Sequence, residues 1–534
     1  MSSYTLKDFL LKHAASGEVS FHMPGHKGGS IYRKLGCDCV FGSPASKDIT
    51  EITGADNLFQ PEGIICDLME RYRRLYNVRK SYISVGGSSA GIIAAMVSAA
   101  KCGCADKKDE SSSVIIARNS HKSVFNGCAI THMKPVYAWP EIIKEYGITG
   151  SITAETIKNC MENAPGTVAV IIPSPNYYGI CSQIADIAEE VHAAGKILIV
   201  DQAHGAHLKF FDAEADNHVL AAENLGADIV INSIHKTLAS FTQTAVINVC
   251  SDRVDEERLE YGLQLIQSTS PSYLLMMSLD VNAEILEKHG RTEIKRWMGE
   301  LDRFYKYAGE IDGLRLLKRP MSDKSKINID MSECGVDGGT LNNMLISKGI
   351  YSELYDGNIL MCMTGIGNER DDYDRLLETL NDISKKALGN NVRISHKLRV
   401  SQADDEKKGE CHIISAAEEK INENRGDMSD VACGVHENNV KCRKIPDRTI
   451  NKLSEQKAFN QKTDTELVSL GESYGKICAR AIIPYPPGVP LILPGEVIEK
   501  NEINEALRLR ESGVNVMGMD KDGNVLVRKI DRSR

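Results

Sequence analysis

The chain has 534 residues, 42% hydrophobic and 26% charged, an ordinary globular composition with material for several domains of about 150 residues each. Its 64 Lys+Arg against 73 Asp+Glu give a formal charge of −9, which argues against nucleic acid as a partner because no basic excess is available to neutralise phosphates. No apolar run reaches the roughly 18 residues of a membrane span, and Lys7 and Asp8 interrupt the stretch where a secretory leader would be apolar. The fifteen cysteines are odd in number and form no Cys-x-x-Cys pair, so zinc ribbons are excluded and reduced thiols in a cytoplasm are expected.

Residues 1–60 read as an N-terminal arm. Leu6, Phe9, Leu10 and His13 share one helical face, and the chain then opens into Phe21-His-Met-Pro-Gly-His-Lys-Gly-Gly29. Over 61–312 short apolar runs recur: Tyr82–Val85, Val114–Ala117, Val168–Ile172, Ile197–Val200, Ile229–Asn232 and Ala245–Val249. They do not alternate with polar residues, and stretches of helical periodicity such as Ile184, Ile187, Ala188 and Val191 separate them. Such strands are buried on both faces, so the class is α/β with a mainly parallel sheet. A helix is predicted over 272–312 with an apolar stripe at Tyr273, Leu274, Met277, Val281, Ile285 and Leu286. Residues 313–388 mix short strands and helices as a small α+β domain. From 389 to 464 polar and charged residues dominate, which reads as a linker or insertion. Residues 465–534 form a C-terminal domain with a Pro-rich segment, Ile482–Glu496, a helix and a final hairpin-like pair.

Ligands of parallel sheets bind beyond the carboxyl ends of the strands, so the residues that follow each strand carry the information. Gly86-Gly-Ser-Ser-Ala-Gly91 follows the first strand and opens a helix, offering free N–H groups and hydroxyls to an anion; a plain tight turn is the alternative. Arg118-Asn-Ser-His-Lys-Ser123 places His121 where an imidazole can stack on a planar ligand, exchange a proton, or be merely structural. Asp201-Gln-Ala-His-Gly-Ala-His207 puts a carboxylate at the end of a buried strand, with Ala203 small enough for close approach of a flat ring. His204 and His207 lack an evident third ligand for a metal, and no metal is expected. Ser233-Ile-His-Lys236 puts an amine beyond another buried strand; desolvated, it becomes a Schiff-base nucleophile, whereas a lone lysine there would read as a surface residue. An anion cradle, a stacking ring, a carboxylate and an amine are the parts that bind pyridoxal 5′-phosphate.

With these motifs in this order, joined by Ile483-Pro-Tyr-Pro-Pro-Gly-Val-Pro, the chain resembles the Orn/Lys/Arg decarboxylases of the bacterial major class over about 1–385 and 466–534. The resemblance implies a pyridoxal-phosphate enzyme of fold type I, with 61–312 binding the cofactor and 465–534 as the C-terminal decarboxylase domain. It implies Lys236 as the Schiff-base lysine, Asp201 as partner of the pyridine nitrogen, and His121 stacked on the ring. His204 would contact the phenolic oxygen, Ser89, Ala90 and Gly91 would hold the phosphate, helped by Ser233 and His235, and Ala203 would lie beside the ring. Lys236 and His235 are both candidate proton donors. The segment Ser268–Tyr273 would reach the phosphate of a neighbouring subunit, so a homodimer or higher homo-oligomer is implied. Gln202 stands where many relatives have Glu, on the face turned away from the cofactor. The polar stretch 389–464 departs from the family pattern. With the Pro-Gly-His motif starting near residue 21, a short form without the receiver-like wing is expected. The implied reaction is decarboxylation of a basic amino acid, arginine first and lysine or ornithine next, with Glu353, Asp356 and Glu496 as candidate partners of its distal cation. An aminotransferase or lyase of the same fold and a non-catalytic regulator are the rival readings.

Overall fold

The computed structural model describes residues 4–100, 112–214, 219–405 and 465–529, with side chains to 389 in the third stretch. Its centre is a seven-stranded sheet in the order β1-β9-β8-β7-β6-β2-β3. The strands are β1 Lys80–Ser84, β2 Ser113–Ala117, β3 Lys134–Ala138, β6 Thr167–Pro173, β7 Ile197–Asp201, β8 Ile229–Asn232 and β9 Ala245–Val249, with a small hairpin of β4 Ile142–Ile143 and β5 Ile148–Thr149 outside it. β2, β3, β6, β7 and β8 pair in parallel, and β9 runs antiparallel to both β8 and β1. All six strands expected from the apolar runs are present. The edge strand β3 escapes notice in the sequence because only Ala138 of it is buried.

Burial on both faces explains the missing alternation. Ile171, Ile199, Ile231 and Ile247 point to one side, where they meet Ile92, Ala95 and Met96. Val170, Leu198, Val200 and Val230 point to the other, against Ile184, Ile187 and Val191. No polar face is left for solvent, so every position of these strands favours an apolar residue.

The helices that matter for the site are α1 Leu6–Ala15, α2 Ile64–Tyr76, α3 Gly87–Ala99, α4 Lys122–Thr131, α5 Tyr273–Ala308, α6 Arg370–Asp405 and α7 Lys500–Glu511. In α1, Thr5 and Asp8 form a capping box, and Leu6 and Leu10 are fully buried in a core shared with α2 and α5. Burial of two leucines contributes several kcal/mol, about 2 each, so the first part of the arm is fastened to the large domain. The predicted stripe on α5 is displaced. The chain buries Tyr273, Met276, Leu279, Ala283 and Leu286, whereas Leu274, Met277, Val281 and Ile285 remain half-buried. Both sets repeat at helical spacing, and only packing decides between them.

A second sheet in the order β10-β11-β13-β12, all antiparallel, is built from β10 Arg315–Leu316, β11 Lys326–Asp330, β12 Leu354–Asp356 and β13 Ile359–Met363. α6 continues past residue 389, where the sequence suggests a linker; 406–464 of that linker lie outside the described residues. In the C-terminal part the last two strands are joined as a hairpin at the Met519–Val525 bridge, while each finds its main ladder elsewhere. β14 Thr465–Ser469 pairs with β17 Asn524–Arg528, and β15 Ile483–Tyr485 pairs with β16 Asn515–Met517. Among the described residues no helix is long and apolar enough to cross a membrane.

Candidate functional site

Because β2, β6, β7 and β8 run in parallel, their carboxyl ends share one edge of the sheet, and the motif residues collect there. Asp201 is the last residue of β7, and Lys236 sits on a single helical turn, Ile234–Thr237, directly after β8. Lys236 Nζ lies 2.7 Å from His204 Nε2. Burial lowers the Lys236 ammonium from its ordinary 10.5 to about 8, with Lys326 pushing the same way and Asp201 and Glu353 opposing. Asp201 is 7% exposed, and one of its oxygens accepts the Ala203 N–H at 3.1 Å. Burial raises its pKa against the pull of Lys236. Among the described residues the Ala203 N–H is the one hydrogen bond its carboxylate accepts, so it keeps acceptor capacity.

His204 is held neutral, first by burial and then by Lys236, Lys326 and His121. The ammonium form of Lys236 donates to Nε2, which leaves the ring proton on Nδ1, a buried atom with no hydrogen-bond partner among the described residues. His121 is the N-cap of α4; its Nδ1 accepts the Ser123 N–H at 3.2 Å and lies 2.8 Å from Ser123 Oγ, which fixes the ring. Burial, Lys236 and Lys122 lower it to about 4, so it is neutral at physiological pH. The Pro-rich segment closes over this residue. Gly488, at φ +80°, would carry a Cβ 3.1 Å from the His121 ring, and Arg118 donates to the carbonyls of Pro490 and Leu491.

The glycine/serine turn opens α3, whose N-cap Gly86 supplies no side-chain bond. Helix geometry leaves the N–H groups of Gly87, Ser88 and Ser89 free and commits those of Ala90 and Gly91 to the helix. Gly91 instead serves packing, because a Cβ there would fall 2.6 Å from Ile247 Cγ1. The turn is joined to β8 by Ser233 Oγ, which donates to Ser88 Oγ at 2.9 Å. His235 donates from Nδ1 to the Thr244 carbonyl at 2.9 Å, and burial lowers its pKa. Gln202 does face away, donating to Glu223 and Asn232. His207 is not beside His204's ring; it donates to Asp323 Oδ1 at 3.0 Å and packs on Trp297. Among the described residues no cluster of three or more His, Cys, Asp or Glu could hold a metal ion. Ser268, Thr269 and Ser270 are exposed, and Ser272 caps α5.

The three carboxylates considered for a distal cation separate clearly. Asp356 is paired with Arg508 at 2.8 Å, and Glu496 lies 3.5 Å from Arg118 while accepting the Leu493 N–H. Glu353 instead accepts from the Tyr177 hydroxyl at 2.6 Å, and the Tyr177 ring packs on His204 with centroids 4.6 Å apart. Tyr177 follows β6 in Ser174-Pro-Asn-Tyr-Tyr178 and joins the candidate site through these contacts; the rule applied to the other strand ends points to it as well. Ser88 was missed beside Ser89, and Lys326, on the second sheet, carries no motif at all.

The sequence matches the family described as "Orn/Lys/Arg decarboxylase, major domain" over residues 5–318, and "Orn/Lys/Arg decarboxylase, C-terminal domain" over 441–518, the latter starting inside the polar stretch. It is 27% identical to an arginine decarboxylase of Bacillus subtilis, over 98% of this chain and 97% of that one. It is 25% identical to the inducible lysine decarboxylase of Escherichia coli K12, over 98% of this chain and 79% of that one. Among solved structures it is similar to the lysine decarboxylase LdcF of Francisella novicida, with a TM-score of 0.75, 22% identity, and coverage of 99% and 81%. The constitutive lysine decarboxylase of Escherichia coli follows with a TM-score of 0.69, 22% identity, and coverage of 98% and 82%. These likenesses agree with the seven-stranded α/β sheet as that of fold type I. With the major-domain match spanning more than half its length, the chain belongs to the Orn/Lys/Arg decarboxylase family and is an amino-acid decarboxylase.

Proposed function

We propose that the chain decarboxylates a basic amino acid, arginine first and lysine or ornithine next, with pyridoxal 5′-phosphate as cofactor. The observation that carries this reading is one continuous set of contacts: Lys236 against His204, His204 against Tyr177, and Tyr177 donating to Glu353. It joins an activated amine to a carboxylate that, among the described residues, has no ion pair of the kind made by Asp356 and Glu496. The naming of similar proteins as arginine and lysine decarboxylases supports the same substrate class.

The residues fit the cofactor. Asp201 is a buried carboxylate with acceptor capacity, suited to a protonated ring nitrogen. The uncapped start of α3 with Ser88, Ser89 and Ser233 offers N–H groups and hydroxyls to a phosphate. When bound, pyridoxal phosphate supplies a carbonyl for the substrate amine and a ring that accepts the electrons of the breaking carbon–carboxylate bond. Lys236, with its lowered pKa, offers a neutral amine near pH 8. Asp201 keeps a proton on the ring nitrogen. His121, neutral and held by Ser123, presents an uncharged planar face. Lys236 and His235 are the groups at hand to return a proton to the α-carbon. Glu353 receives the distal cation of the substrate.

A homodimer fits the surface of the arm, where Val19, Phe21, Leu35 and Val40 are 81%, 93%, 67% and 63% exposed. A cytoplasmic location fits the described cysteines, which are free thiols. The test is product analysis of the full chain with pyridoxal phosphate and each of arginine, lysine and ornithine. Carbon dioxide and the matching amine are expected, fastest from arginine. A keto acid without carbon dioxide would move the chain to the aminotransferases, and no turnover of any of the three would refute the reading.

A further inference from the structure

Lys326 opens β11 in the second sheet, and its side chain is fully buried. The three hydrogens of its ammonium find three acceptors: the backbone carbonyl of His204 at 2.9 Å, Asp323 Oδ2 at 3.1 Å and Ser325 Oγ at 3.1 Å. Asp323 is also fully buried and further accepts from His207 Nε2, the Ser325 N–H and the Ser325 hydroxyl. Burial pushes the Asp323 carboxyl up, but His207 and Lys326 beside it hold it well below the usual range, so Asp323 is a carboxylate. The way in is kept open by Gly179, at φ +88°, where a Cβ would lie 2.8 Å from Lys326 Cβ. A lysine and an aspartate buried this completely cost several kcal/mol in desolvation, and a plain apolar contact would serve stability as well. What an apolar residue cannot do is donate to a carbonyl in the turn that follows β7.

We propose that Lys326 is a positioning residue that holds the 203–207 turn from the second sheet, and so keeps His204 Nε2 against Lys236 Nζ. The carbonyl it grips belongs to the same residue whose ring meets Lys236 2.7 Å away. The groups facing Lys236 are Asp201 at the end of β7, His204 in the turn, His121 at the start of α4, Glu353 before β12, and Lys326 itself. Lys326 adds a positive charge to this set and depresses Lys236 further, which agrees with the role. The inference rests on Lys236 being the cofactor-linked lysine.

The experiment uses the full chain carrying Lys326→Met, alone and combined with His204→Gln. In the cofactor-loaded chain kcat should fall at least about 10-fold with KM changed less than about 3-fold. In the His204→Gln background the same substitution should change kcat less than about 2-fold, since the ring it positions is gone. A residue that only stabilises the fold would lower the melting temperature and leave the kcat of folded protein unchanged; that result overturns the proposal, as does additivity with His204→Gln. Should Lys326→Met not fold, Ser325→Ala removes one of the three acceptors and should give a smaller fall in kcat; no change in kcat again overturns it. Borohydride reduction of the loaded wild type, with the label mapped by peptides, separates the two readings. A label on another lysine removes the proposed role of Lys236 and this inference together, whereas a label on Lys236 with unaltered kcat in Lys326→Met refutes the inference alone.

Discussion

Lys236 should titrate near pH 8 in the chain free of cofactor, and that value can be measured directly. The shift from 10.5 to about 8 corresponds to about 3 kcal/mol by which the folded state disfavours the ammonium. At pH 7 roughly 10% of Lys236 is then neutral, against about 0.03% for an ordinary lysine, a gain of roughly 300-fold in free amine. Short pulses of an acylating reagent between pH 6 and 11, followed by peptide mapping, give the rate at Lys236, with exposed Lys144 as the reference for reagent decay. Asp201→Asn removes the anion that raises Lys236, so its midpoint should move below that of the wild type. The same shift sets a pH dependence of stability. Below pH 8 folded and unfolded chains both hold the proton, and the folded chain bears the whole penalty. Between 8 and 10.5 the unfolded chain holds it longer, so stability rises with pH through that window. Measured against Lys236→Met, which lacks the group, the wild type should be relatively least stable below pH 8 and should recover as pH approaches 10.5. A Lys236 midpoint above 10, or one raised by Asp201→Asn, would refute the assigned electrostatics.

Asp201→Asn should retain the cofactor on Lys236, seen by its visible absorbance, while carbon dioxide release falls by orders of magnitude, because the carbanion-like transition state needs the protonated ring more than the ground state does. Glu353→Gln should raise KM for arginine, lysine and ornithine by about 10- to 100-fold, the worth of a hydrogen bond to a charged group, with a smaller change in kcat in the same assay. Gly91→Ala places a methyl 2.6 Å from Ile247 Cγ1 and should cost about 1–3 kcal/mol by overpacking, read from urea midpoints. Gly488→Ala combines a left-handed backbone with a Cβ 3.1 Å from the His121 ring; it should lower kcat together with a loss of about 1 kcal/mol in stability, followed by turnover and thermal melting.

The sheet was legible because its strands are apolar on both faces, and the positions of Asp201, His121 and Lys236 followed from the rule that parallel strands deliver their ends to one edge. The stripe on α5 was not, because Leu274, Met277, Val281 and Ile285 satisfy helical periodicity as well as the residues that are buried. β3 was not, because an edge strand buries little. The glycine turn was legible as the start of a helix, yet Gly91 could be seen as a packing residue only once Ile231 and Ile247 stood opposite it. The pairing of β15 with β16 and of β14 with β17 depends on contacts distant in sequence that no local pattern records. Lys326 reaches the 203–207 turn across more than a hundred residues, and its type and neighbours in sequence look like an ordinary strand start.

The charges at the sheet edge bear on which substrate the proposed site accepts. His121, His204 and His207 all have lowered pKa values, so at neutral pH they contribute rings and lone pairs but no charge. Lys326 and Asp323 compensate each other within hydrogen-bonding distance. That leaves Lys236, Asp201 and Glu353. Once Lys236 gives up its proton, two carboxylates remain, one suited to the ring nitrogen of the proposed cofactor and one that, among the described residues, is bonded to the Tyr177 hydroxyl alone. An amino acid with a cationic tail compensates the second. A neutral one of equal length leaves a half-desolvated carboxylate against an apolar chain, which costs about 1–3 kcal/mol, or about 5- to 150-fold in kcat/KM. The proposed preference for a basic substrate would then rest on removing an uncompensated charge, and replacing Glu353 by Gln should narrow the gap between arginine and a neutral analogue, chiefly through loss on the arginine side.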